Sequence, residues 1–400
     1  MKTIKHLVLC GGGPIGLVEY GALKYLTNNN IINLNTIESI YTTSIGSIIA
    51  FIYILNFDWA WIDDFFIKRP WEKLINFSYS MYFNIFYDKG IVNKKIIINA
   101  LKPLFLAKEI PITITLLEFY NLTAIEFNIY TCNLTSFKKE KLNHITRPNL
   151  ELIDALYMSS SIPVMFVPLY INDCYYLDGG IFVNCPINEC IFDKKCCYDE
   201  ILCFINDKRD PIDLSNNFYK ENNYNYDTTN YQLNQDANFF EYIFYIIKTL
   251  FNKLSIIENE NLIAIKNSIN ICLTEQIVDF KYWSYAFKTE AERNYLVKLG
   301  EIQAEKFINM LLSSNVETTL NTSSDNTLNT SSDNTLNTSS DNTLNNTLDN
   351  TLNNTLDNTL DNTLDTTINM SSDNTPDTTL NTSSDNVQLD VSDISNILLL

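Results

Sequence analysis

The sequence predicts an α/β layered domain with a mostly parallel central sheet. Three observations carry this. A short apolar run from Lys5 to Cys10 stops at three glycines and passes into a helix-like pattern. A second short strand, "SIYTTS", runs straight into the apolar stretch that begins at Ile45. Strand-like and helix-like segments then keep alternating, and parallel strands require just such crossovers between them.

In order, Lys5 to Cys10 reads as a strand and Gly16 to Thr27 as a helix. The run "IGSIIAFIYILNFDWAWI", Ile45 to Ile62, comes nearest to a membrane span, but Asn56, Asp58 and the lack of flanking charge favour a buried core helix. "IEFNIYTCNL", Ile125 to Leu134, alternates as a strand. "ELIDALYMSSS" is a helix stopped by Pro163, "CYYLDGG" a strand ending in a turn, and "EILCFIN" a buried strand. Arg209 to Asn238 is polar and reads as an insertion (about 209–238). Phe239 to Leu254 is apolar at helical spacing, and Tyr282 to Leu312 closes the domain with an amphipathic helix.

From Asn321 the octapeptide "NTSSDNTL" repeats, then shortens to "DNTL" and "NNTL". One Leu in four or eight residues cannot offset the cost of ordering the chain, so the C-terminal tail is expected to be disordered. The expected organisation is a folded domain over 1–312, with its motif-bearing core at 4–190, and a low-complexity tail over 313–400.

The formal net charge is −19, but the tail from Val316 has no Lys or Arg and thirteen acids, leaving the body near −6. A mildly acidic body argues against nucleic acid as a partner. Nine cysteines without a C-x-x-C pair, beside two histidines, make a metal site unexpected. They read as free thiols of a reducing, intracellular compartment. The uninterrupted apolar run before the glycines is only four residues long, Leu7 to Cys10, too short for the core of a signal peptide.

Gly11, Gly13 and Gly16 satisfy G-x-G-x-x-G. Such a loop could hold a cofactor pyrophosphate, or present backbone N–H groups to an oxyanion. The dinucleotide reading needs an acid at the end of the second strand. There the sequence has Thr43 and Ser44, with Glu38 before the strand. Thr42-Thr43-Ser44-Ile45-Gly46 approximates the nucleophile elbow G-x-S-x-G, with Thr42 in place of its first glycine. A serine at a strand-to-helix turn also sits where the helix dipole favours negative charge. His6 lies within the first strand and His144 in "KLNHITRP", and neither follows the order of a Ser–acid–His triad. Asp178, at a strand end before Gly179 and Gly180, is the better partner: partial burial would raise its proton affinity enough to serve a serine as base.

Taken together, "GGGPIG", then "TSIGS", then "SSSIPVMFVPLYINDCYYLDGGIFVNCPI" resemble the patatin-like phospholipase family, from Ile4 to about Asn188 and partly again at "LVKLGEIQAEKF". The resemblance implies a three-layer α/β/α sandwich and a Ser–Asp dyad, with Ser44 as nucleophile and Asp178 as base. It also implies an oxyanion hole at Gly11, Gly12 and Gly13, with Gly16, Gly46, Gly179 and Gly180 shaping the loops. The implied activity is hydrolysis of fatty-acyl esters of membrane phospholipids through an acyl-serine, with peripheral membrane contact and no cofactor. "INFSYSMYFNIFYDKG", Ile75 to Gly90, and Phe239 to Leu254 are the candidate membrane-facing segments. Two departures stand out: Ile15, where the family often has a cation, and Thr42. A catalytically silent, lipid-binding homologue is the alternative.

Overall fold

A computed structural model describes residues 2–73, 87–207, 262–271 and 289–328, with most of 233–254. Its strands are β1 (His6–Leu9), β2 (Ser39–Thr43), β3 (Gly90–Val92), β4 (Glu126–Asn133), β5 (Lys138–Leu142), β6 (Val164–Phe166), β7 (Leu169–Ile171), β8 (Cys174–Asp178), β9 (Ile201–Ile205) and β10 (Ser268–Asn270). Its longer helices are α1 (Gly16–Asn28), α2 (Ile45–Ile54), α3 (Trp59–Asp63), α4 (Lys94–Ala107), α5 (Leu116–Thr123), α6 (Leu152–Ser159), α7 (Ile187–Lys194) and α8 (Glu290–Leu328).

Strands β10, β9, β1, β2 and β4 pair in that order, all parallel. Strands β5 and β8 pair with β4 antiparallel, and β7 pairs with β8. Strands β3 and β6 form a separate parallel pair. Every residue of β1 and β2 is buried, as parallel strands covered on both faces must be. Neighbouring residues of a strand point to opposite faces. The Tyr41 hydroxyl donates to Asp193 of α7 at 3.1 Å, while the Thr42 hydroxyl meets that of Ser47 in α2 at 3.0 Å. Helices α7 and α2 therefore cover opposite faces, and the architecture is the expected three-layer sandwich. Helix α8, which carries the "LVKLGEIQAEKF" segment, closes on α1. A side chain at Gly21 would strike the backbone of Val297, and one at Gly300 the carbonyl of Val18.

Two elements differ from expectation. The apolar run from Ile45 is broken: α2 ends at Ile54, Asn56 takes a left-handed φ of 49°, and the Asp58 carboxylate caps α3 by accepting the N–H groups of Ala60 and Trp61. Asn56 and Asp58 thus divide what hydropathy alone reads as continuous. Among the described residues no helix is long and apolar enough to cross a membrane. Helix α8 runs past Leu312 to Leu328, into the first repeat. The rest of the tail, nearly all of the 209–238 insertion and most of Ile75 to Gly90 lie outside the described residues.

Candidate active site

The register of β4 brings Ser44 and Asp178 together. Along one edge β4 pairs with β5, which spans Ile129 to Asn133 of β4. Its other edge is shared. Parallel β2 pairs from Ser39↔Glu126 up to Thr43↔Tyr130, and antiparallel β8 takes over at Thr131↔Asp178. The last residues of β2 and β8 thus meet head-on beside two consecutive residues of β4. Ser44 is the next residue after β2, and Asp178 is the last of β8. Side chains far apart in sequence converge because the two strands run in opposite directions along one edge.

Ser44 turns the chain sharply from β2 into α2. Its φ of 54° and ψ of −127° lie in a region that costs a non-glycine residue about 1–3 kcal/mol. The turn is held from outside. The Ser44 N–H donates to the Ser159 hydroxyl at 2.8 Å, and that hydroxyl donates to the Tyr130 carbonyl at 2.6 Å. The Thr43 hydroxyl donates to the Val183 carbonyl at 2.7 Å. Gly46 lets α2 rest on the end of β1, since a Cβ there would lie 2.7 Å from the Cys10 carbonyl oxygen.

Thr42, the first departure from the elbow pattern, is fully buried, and its hydroxyl donates to the Asn128 carbonyl at 3.1 Å besides meeting Ser47. A glycine here would lose both contacts. Thr42→Val is expected to destabilise the fold by about 1–3 kcal/mol, because it removes a buried hydroxyl's bonds to the Asn128 carbonyl and to Ser47, leaving Ser47 only the Ser159 hydroxyl at 3.2 Å. The turnover of the folded variant should stay within a few-fold of wild type, read by urea denaturation alongside an esterase assay. Ile15, the second departure, is 1% exposed and packs into the core, where a cation could not be solvated.

Asp178 is 2% exposed and Ser44 6%. The main-chain N–H of Asp178 donates to the Ser161 carbonyl at 2.8 Å, and its Oδ1 accepts the Gly180 N–H at 2.7 Å. Oδ2 is buried without a hydrogen bond of good geometry. Burial pushes the carboxyl up to about 6, with the Ser44 hydroxyl, then the Gly180 N–H, drawing it back down. A base whose carboxyl titrates near 6 is ionised at neutral pH yet still basic enough to take a hydroxyl proton in a transition state. Gly179 allows the turn to pass against the Tyr130 carbonyl, and Gly180 stands 3.0 Å from Asn184 Oδ1 when a Cβ is placed on it.

The glycine loop lies against the elbow. A Cβ on Gly11 would come within 3.0 Å of Ser44 Cβ, and Gly16 is backed by the Ile45 side chain. The three expected oxyanion donors are not equivalent. The Gly11 N–H is already committed to the Asn184 carbonyl at 3.0 Å, so Gly11 shapes the loop rather than offering a free donor. The Gly12 and Gly13 N–H groups carry no hydrogen bond among the described residues. Gly13 has a φ of 59°, which suits glycine and turns successive N–H groups toward one side.

The histidines are elsewhere. His6 Nδ1 is 2.8 Å from the Ser39 hydroxyl, at the opposite end of β2 from Ser44 and roughly 16 Å away along the strand. The His144 ring stacks on Tyr120 with centroids 3.7 Å apart. Burial lowers the proton affinity of both.

Sequence reasoning left three supporting residues without a role. Glu19 of α1 is fully buried and accepts the Cys10 N–H at 2.9 Å just ahead of the loop, and burial raises its proton affinity well above the usual range. Its one visible signal is a lone acid in the apolar run "GLVEYGALKYL". Asn184 grips the loop by its carbonyl and by its amide, which donates to the Gly11 carbonyl at 3.2 Å. Ser159 opens the S-x-x-x-P spacing that ends at Pro163, and its hydroxyl is what holds the Ser44 N–H. No disulfide joins any of the eight described cysteines.

Residues 7–191 match the family model described as patatin-like phospholipase. The curated protein "Probable lipid hydrolase 463L" of Invertebrate iridescent virus 6 is 29% identical over 192 residues, 48% of this chain and 64% of that protein. The chain thus spans just under two thirds of that relative's length. "Uncharacterized protein R571" of Acanthamoeba polyphaga mimivirus is 28% identical over 308 residues, 74% of this chain and 95% of that one. Among solved structures, VipD from Legionella pneumophila aligns at 16% identity with a TM-score of 0.42, over 77% of this chain and 67% of that one.

Proposed function

We propose that this chain, whose residues 7–191 match the patatin-like phospholipase family model, is a lipid acyl hydrolase that works through Ser44 and Asp178. One observation carries the reading: a buried carboxyl at the end of β8 meets a serine in a strained elbow at the end of β2, and the serine hydroxyl draws the carboxyl's proton affinity down against its burial. The Ser44 hydroxyl attacks the ester carbonyl while Asp178 Oδ2, the oxygen without a hydrogen bond, takes its proton. The negative charge that develops on the carbonyl oxygen is received by the Gly12 and Gly13 N–H groups, assisted by the N-terminus of α2. Asp178 returns the proton to the leaving alcohol, and water then cleaves the acyl-serine by the same steps in reverse. Membrane phospholipid is the substrate in this reading, and no histidine takes part.

Labelling with a fluorophosphonate probe tests it. Wild-type protein is expected to be labelled stoichiometrically and Ser44→Ala not at all, with phospholipid hydrolysis lost in parallel. Persistent labelling of Ser44→Ala, or a wild type that neither labels nor releases fatty acid, would end the assignment.

A further inference from the structure

We infer that the exposed tip of the β4–β5 hairpin, together with Phe182, is the surface that docks on a phospholipid bilayer. The inference rests on the hydrolase reading for its partner and on its own observations for its location. Residues 134–139, "LTSFKK", are all exposed. Leu134 is 40% exposed, Phe137 61% and Phe182 36%, and the two phenylalanine rings meet edge-on with centroids 4.9 Å apart. Two aromatic side chains thus lean on each other at the surface rather than in the core, where such area is worth most.

Phe137 also sits in a strained backbone, with a φ of 49°. A hairpin turn at that conformation suits Gly, Asn or Asp, and a bulky aromatic there is a true outlier. The turn is firmly built. The Ser136 N–H donates to Asn133 Oδ1 at 3.1 Å, and the Leu134 N–H to the Tyr175 carbonyl at 2.8 Å. The chain therefore keeps an exposed, costly phenylalanine where a smaller residue would serve the fold better, which points to a role outside folding.

The place and the charge identify the partner. Phe182 lies four residues after Asp178, and the next residue, Val183, accepts the Thr43 hydroxyl at 2.7 Å, so the aromatic pair borders the dyad. The tip carries Lys138 and Lys139 and no acid, on a chain whose net charge is −19. Lys139 pairs with Glu189 at 2.6 Å, while Lys138 has no ion pair among the described residues. Asp173, on the neighbouring hairpin, accepts the Tyr170 hydroxyl at 3.1 Å. Apolar side chains flanked by lysines match a bilayer interface, where rings enter the acyl boundary and ammonium groups meet lipid phosphates. The described residues of 239–254 are helical, and Tyr242, Leu250 and Leu254 are 48%, 56% and 38% exposed. Phe251 of that helix reaches Gly180, whose added Cβ would lie 3.6 Å from its ring. Phe251 thus adds apolar surface beside Gly180, two residues from Asp178.

Full-length protein carrying Ser44→Ala, which removes turnover from the readout, is sedimented with phosphatidylcholine vesicles containing phosphatidylglycerol, with and without Phe137→Gly. Phe137→Gly is expected to weaken partitioning about tenfold, while its melting temperature holds or rises because glycine relieves the positive φ. Phe137→Leu should retain most of the binding. With Ser44 present, Phe137→Gly should lose vesicle hydrolysis in proportion yet cleave dissolved 4-nitrophenyl butyrate within twofold of wild type. Unchanged partitioning of Phe137→Gly overturns the inference, as does an equal loss on the dissolved ester. A dimer that becomes monomeric with vesicle binding intact would assign the surface to a second copy and overturn it too. Phe137-dependent binding without fluorophosphonate labelling would leave this surface standing and remove the hydrolase reading alone.

Discussion

Replacing Asp178 by Asn is expected to abolish ester hydrolysis while making the protein more stable. The loss of activity follows from the chemistry: an amide cannot take the Ser44 proton, and removing a positioned base costs about 10²–10⁴-fold in turnover. The gain in stability follows from burial. The Asp178 carboxyl is pushed up to about 6 in the folded chain, from about 4 in an unfolded one. The folded state therefore holds the proton more tightly, and the stability this lends the neutral form is complete below about pH 4. It is lost as pH rises through 6, leaving a penalty of up to about 3 kcal/mol at neutral pH. Asn carries no charge to bury, and its Oδ1 can still accept the Gly180 N–H. Chemical denaturation from pH 4 to pH 8 should show wild type and variant diverging between pH 4 and 6, with the variant the more stable above. Wild-type kcat/KM should rise with pH through about 6 as the base ionises. A variant that hydrolyses phospholipid at the wild-type rate, or a rate with no limb near that pH, would remove Asp178 from the reaction.

Gly46→Ala is the second large effect expected, and it runs through packing. The added Cβ would lie 2.7 Å from the Cys10 carbonyl oxygen and 2.8 Å from that of Leu9. Both obstacles are main chain at the end of β1, so no side chain can rotate away and α2 must shift instead. A displacement of this kind costs about 3 kcal/mol. It also moves Ser44 away from the glycine loop, because Gly11 and Ser44 are in contact across the same gap. A lower denaturation midpoint together with slower fluorophosphonate labelling is the expected pair of results. A midpoint and labelling rate equal to wild type would show that the close approach at Gly46 is dispensable.

Both effects concern residues singled out by short local patterns, and that is where the sequence is most legible. Chain breaks such as "GGG" after an apolar run and "DGG" after a strand mark places where backbone conformation or close approach restricts residue choice. The hydrogen bonds that hold these places are not local. Ser159 is 115 positions from Ser44, and Asn184 is 173 from Gly11. Neither neighbourhood says which distant main-chain group such a residue will hold. Glu19 was masked differently: its helix reads as amphipathic or buried without regard to a single carboxyl, and only the cover over α1 shows that it never reaches water.

The limits of hydropathy appear in the apolar run from Ile45. Two polar residues sufficed to end α2 and start α3, since a left-handed Asn and a capping Asp satisfy the helix ends that a continuous span would leave paired within itself. The committed Gly11 N–H is a similar case. Three consecutive glycines look alike in sequence, and the Asn184 carbonyl separates the first from the other two.

Read alone, the sequence determined the α/β alternation, the three motifs and their order, because strand period, glycine turns and capping chemistry act over a few residues. Only the tertiary structure decided that Ser44 and Asp178 share one edge of β4, which loop N–H groups stay free and which aromatic side chains face outward. Those outcomes depend on strand register and direction, set by the packing of the whole core, and no local pattern encodes them.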